Sequence, residues 1–102
     1  MATYQLKWYF KGWRHYPNEI EGMDEARATA CTIIQFLKEK KGLRAVQIYI
    51  HDITKPSWDY GEVWMKGDTY LYNADSKGSE KGIIWTVNPK TGKTVKKYGY
   101  VE

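Results

Sequence analysis

The chain has 102 residues, near the size at which one hydrophobic core sustains a single domain, and five Trp, nine Tyr and two Phe supply bulky core material. Sixteen basic residues against twelve acidic ones leave a formal charge of +4, a modest surplus for a polyanion binder. One cysteine, Cys31, excludes an intramolecular disulfide; no apolar run spans a bilayer; and the opening MATYQLKWYF lacks a signal-type apolar stretch, so the expected location is the cytoplasm.

From Thr3 to Lys11 the pattern alternates, with Tyr4, Leu6, Trp8 and Phe10 on one side and Thr3, Gln5, Lys7, Tyr9 and Lys11 on the other. Period two predicts a half-buried strand. The segment GWRHYPNEIEG that follows contains two glycines and a proline, so it is expected to be a connection whose aromatic residues cover an edge.

Between Met23 and Lys41 the period becomes helical, because Met23, Ala26, Ala30, Ile33, Ile34 and Leu37 recur at spacings of three and four. Asp24 and Glu25 in the first turn, Lys38, Lys40 and Lys41 in the last, and Gly42 beyond it bound the helix, with Cys31 and Phe36 on its flanks.

A strand rich in β-branched residues is predicted from Leu43 to Ile53, with Val46, Ile48 and Ile50 on one side and Gln47, Tyr49 and His51 on the other. Two short strands, Glu62 to Lys66 and Thr69 to Asn73, flank a Gly67-Asp68 turn. The polar segment NADSKGSEKG reads as a loop, and Gly82 to Tyr100 as a hairpin. The expected class is α+β: a mainly antiparallel sheet of about five or six strands with one amphipathic helix, residues 23–41, on one face, in the order β-α-β-β-β-β. One helix leaves the other sheet face partly open.

In the hairpin, Pro89-Lys90-Thr91-Gly92 suits a four-residue loop built on a type I turn. Pairing Asn88 with Lys93 then sets Val87 opposite Thr94, Trp85 opposite Lys96 and Ile83 opposite Tyr98. That face carries most of the large side chains and is expected to turn inward, with Lys96 reaching past Trp85 to water.

No motif for catalysis, metal or cofactor survives inspection. Gly92-Lys93-Thr94 resembles the end of a phosphate-binding loop, but Val87 stands where that loop needs its first glycine, and a strand follows instead of a helix. A calcium loop starting at Asn73 would place Lys77 and Ile84 at ligand positions. Cys31, His15 and His51 fit no zinc spacing, and a cysteine within a helix is ordinarily a packing residue. An enzyme is therefore not expected; the remaining catalytic idea is that His15, His51 and Asp52 meet in space.

Charge is unevenly spread: Asp52 to Glu80 holds six acidic residues and three lysines, and Lys81 to Val101 five lysines and no acid. Two binding readings follow. The first is a small non-enzymatic protein that contacts another protein, an inhibitor or accessory factor of the phage or mobile-element type, through Trp13, Arg14, Tyr16, Trp58 and Tyr60 in predicted loops. The second is nucleic-acid or nucleotide binding through Lys90, Lys93, Lys96 and Lys97, with Trp85 or Tyr98 stacking on bases. Exposed edge strands are also compatible with a homodimer.

Overall fold

A computed structural model describes residues 2–56, 60–74 and 83–100. The apolar stripe folds as α1 (Met23–Lys41), closed at its C-terminus by Gly42 in the left-handed conformation and by the Leu43 N–H donating to the Leu37 carbonyl at 3.3 Å. Ala26, Ala30, Cys31, Ile34 and Leu37 are buried along this stripe. Two alanines there let the helix lie close to the sheet.

The strands are β1 (Thr3–Tyr9), β2 (Trp13–His15), β3 (Ile20–Glu21), β4 (Ile48–Asp52), β5 (Tyr60–Lys66), β6 (Thr69–Asn73), β7 (Ile83–Val87) and β8 (Thr94–Tyr100). They form one antiparallel sheet in the order β2-β1-β4-β5-β6-β7-β8, with β3 also pairing with β1. The helix crosses β1, β4 and β5. Beneath it Leu6, Ile48, Ile50 and Val63 are fully buried, each contributing about 1.5–3 kcal/mol of apolar burial. The α+β class and the helix bounds are as expected, and no helix is long and apolar enough to cross a membrane among the described residues.

The strand count exceeds expectation because the segment read as a connection holds β2 and β3. Its backbone completes the outer edge of β1. Lys11 and Gly12, both at positive φ, reverse the chain, and beyond them the Tyr16 N–H donates to the Leu6 carbonyl at 3.0 Å and the Gly22 N–H to the Ala2 carbonyl at 2.9 Å.

The hairpin register also differs from the expected one. Asn88 N–H donates to the Lys93 carbonyl at 2.9 Å and Val87 pairs with Thr94 as expected, but bulges then shift the pairing to Thr86 with Lys96, Trp85 with Lys97 and Ile83 with Tyr100. The Thr86 hydroxyl sits at the first bulge, donating to the Lys96 carbonyl at 3.2 Å and accepting from the Lys96 N–H at 3.0 Å. Trp85 is half-buried against the core, as its inward face requires, yet its neighbour across the ladder is Lys97. Lys96 belongs to the opposite face, so it does not pass Trp85.

The hairpin turn is fastened to α1 by Arg27. This buried guanidinium donates through Nε to the Gly92 carbonyl at 2.6 Å and through a terminal nitrogen to Asp24 Oδ1 at 2.5 Å, and it lies 4.8 Å from the Tyr72 ring centroid. A buried cation needs such partners.

Candidate functional site on the uncovered sheet face

Strand alternation sends Leu6, Ile50 and Val63 under the helix and their neighbours to the other side. On that side Tyr9 pairs with Trp13, Lys7 with both His15 and Tyr49, and His51 with Tyr60. The rings make a continuous chain. Tyr9 meets Trp13 edge to face at 5.6 Å between centroids, Trp13 meets Tyr49 at 5.9 Å, Tyr49 meets Tyr60 at 5.6 Å, and Tyr60 meets His51 at 5.2 Å. With strands about 4.8 Å apart, this row from β2 to β5 spans about 14 Å.

Lys7 sits in the middle of the row. Its ammonium lies 4.6 Å from the Trp13 centroid and 4.3 Å from the Tyr60 centroid, and it has no acidic partner among the described residues. Each such contact is worth about 0.5–1 kcal/mol at an exposed site. Tyr9 and Trp13 are the most accessible members, at 64% and 52% exposure. On β6, Leu71 and Asn73 point to the same side but are buried, so the uncovered area ends at β5.

The five residues expected to bind protein divide. Trp13 and Tyr60 join the ring chain, on strands and not in loops. Arg14 points to the helix side of β2, where its Nε donates to the Phe10 carbonyl at 2.9 Å, and Tyr16 packs against the core. Trp58, like most of the loop expected after Asn73, lies outside the described residues.

The six residues of the nucleic-acid reading do not share one surface. Lys96 and Lys97 face opposite sides, Trp85 packs inward, Lys90 lies within the turn held against α1 and Lys93 just after it, and Tyr98 stands 49% exposed at the second bulge. His15 and His51 share the uncovered face, but Asp52 lies on the other, where its carboxylate accepts from Thr54 Oγ1 at 2.7 Å and Thr54 N at 3.0 Å. Those bonds hold its carboxyl below the usual range. No group of three potential metal ligands occurs among the described residues.

Glu62 is the acid of this face, opposite Tyr49 and Asn73 in the pairing. Burial pushes its carboxyl above the ordinary value. Its folded pKa therefore exceeds the unfolded one, so its favourable share of stability is present below the unfolded pKa and is lost as pH rises through the folded value. We expect Glu62→Gln to stabilise the fold at pH 7 and to change nothing at pH 3, as urea unfolding at the two pH values would read. The gain is below about 1 kcal/mol because water screens a half-exposed group.

Lys7, Tyr9, Tyr49 and His51 were not among the expected binding residues, although the signal was present: aromatic and basic residues occupy the nominally polar positions of two strands whose other side carries the core. No family model, curated protein or solved structure matches the chain.

Proposed function

We propose that the protein is a non-enzymatic binding domain that holds another protein against the uncovered face of its sheet, as a cytoplasmic inhibitor or accessory factor of the phage or mobile-element type would. The observation that supports this reading is the chain of rings from Tyr9 to His51 around Lys7, with Tyr9 and Trp13 exposed. Tyrosine and tryptophan offer large amphipathic area at low entropic cost and are the usual anchors of protein contacts. The free, buried thiol of Cys31 suits a reducing compartment.

The same rings would also stack on bases, which makes nucleic acid or a nucleotide the competing ligand class. Capture from native extract, run with and without nuclease, separates the two. The expected result is a protein retained after nuclease treatment and lost from a Tyr9→Ala, Trp13→Ala, Tyr60→Ala variant, with affinity falling at least about thirtyfold if two anchors each cost a kilocalorie or more. Retention unchanged in the triple variant would remove this face from consideration. Release by nuclease, together with tight binding of oligonucleotides at low salt, would transfer the reading to nucleic acid.

A further inference from the structure

We propose that a cleft on the helix side of the β1–β2 turn binds an acidic peptide segment, taking one apolar anchor residue into the cleft and the neighbouring carboxylate on Arg14. The cleft has a volume of about 270 Å³ and is lined by Trp8, Phe10, Arg14, Phe36, Leu37 and Lys41. Pockets for whole small molecules run to about 300–1,000 Å³, so this one matches a single anchor better than a complete ligand. Its apolar walls come from two elements: Trp8 and the Phe10 that follows β1 on one side, and Leu37 with Phe36 of α1 on the other. Phe36 is 52% exposed, an outlay of apolar surface that the core does not use.

The charged residues that line the cleft have one sign. Arg14 and Lys41 line it, Lys11 stands 5.5 Å from the Phe10 ring centroid, and none of the three has an acidic partner among the described residues. The Arg14 guanidinium is already oriented, because Nε is committed to the Phe10 carbonyl at 2.9 Å. Its two terminal nitrogens are left to form the paired bonds that suit a carboxylate. The turn that positions it is strained as well: Lys11 adopts φ 53°, a left-handed conformation unfavourable for a non-glycine residue. Three cations around one apolar recess complement a single carboxylate beside an anchor, whereas a nucleic acid needs a track of cations along its backbone.

Trp13 and Arg14 are consecutive on edge strand β2 and point to opposite sides, so this site lies behind the ring chain and stands independently of it. The probe is a capped pentapeptide with a central phenylalanine between paired aspartates, titrated into isotope-labelled protein and followed by amide and side-chain chemical shifts. Shifts are expected at Phe10, Arg14, Phe36 and Lys41, saturating with the acidic peptide. Arg14→Gln should weaken binding at least about tenfold, as loss of a charge-assisted pair predicts. Phe36→Ala, a change at a half-exposed position that leaves the core intact, should weaken it as well. The proposal fails if no saturable shift appears, if a peptide with lysines replacing the aspartates binds equally, or if binding survives Arg14→Gln. It also fails if oligothymidylate moves the same resonances, or if the shifts fall on Trp13 and Tyr60.

Discussion

Gly92→Ala is expected to lower stability by about 3 kcal/mol or more. Gly92 holds φ 76° in the β7–β8 turn, where any side chain adds about 1 kcal/mol of backbone strain. A Cβ there would also collide with the Asp24 carbonyl oxygen and lie 2.6 Å from the Asp24 carbonyl carbon and 2.8 Å from the Ala28 nitrogen. All of these are backbone atoms of α1, so no side-chain rotation relieves the overlap. The turn must lift from the helix, which breaks the bond from Arg27 Nε to the Gly92 carbonyl and leaves a buried guanidinium short of a partner.

Gly67→Ala separates the two contributions. Gly67 has φ 60° in the β5–β6 turn, yet nothing lies within 4 Å of its would-be Cβ, so that variant should lose only the backbone part. A domain of this size loses about 4–8 °C of melting temperature per kcal/mol. Thermal unfolding should place Gly92→Ala more than about 10 °C below wild type and well below Gly67→Ala. Equal melting temperatures for the two variants would show that the turn does not press on the helix.

How much of this was legible depends on the kind of signal each element leaves. The helix was fully legible, because its apolar spacing, its terminal charges and Gly42 specify the same bounds by separate physical routes. The Gly67-Asp68 turn was legible because a two-residue hairpin demands φ > 0, which Gly67 supplies. Strands β2 and β3 were not, since three and two residues are too few for alternation and GWRHYPNEIEG has the composition of a turn. What makes them strands is tertiary: the open edge of β1 and its unpaired carbonyls. The bulges of β7–β8 were invisible for a related reason. A threonine at position 86 is as good in a regular ladder as at a bulge, and only the pairing with β8 decides.

The same distinction governs the binding face. Trp13 and Tyr60 were found by composition, but they were expected in loops, and Arg14 and Tyr16 were grouped with Trp13 by proximity in sequence alone. Pairing regroups them: Trp13 goes with Tyr9, Lys7, Tyr49 and Tyr60 on one side of the sheet, while Arg14 joins Trp8 and Phe36 on the other. Strand order, which brings β2, β1, β4 and β5 side by side, is the piece that no local pattern carries.

Cys31 gives the second large effect, and it tests how α1 is seated on the sheet. Burial pushes its thiol from 9.0 up to about 12, and the nearby Arg27 charge offsets only part of that. Three pH units remove about a thousandfold of the thiolate that reacts with an alkylating agent at pH 8. Iodoacetamide should therefore modify the native protein at least about a thousandfold more slowly than the urea-unfolded chain, as mass spectrometry would count. The residue is 1% exposed, which slows the reaction further, and the share of modification that passes through opened states should rise in destabilised variants such as Gly92→Ala. The linkage has a definite sign. Because the folded pKa is raised, the contribution of the protonated thiol is fully present below pH 9, and stability falls between about 9 and about 12 as the unfolded chain alone gives up its proton. Tyr72 and Tyr70, also pushed up chiefly by burial, add to the decline once unfolded tyrosines ionise above about 10. Cys31→Ala should flatten the first part of that decline while leaving the tyrosine part in place. Native-state alkylation at the unfolded rate would mean that the helix face carrying Cys31 does not rest on the sheet.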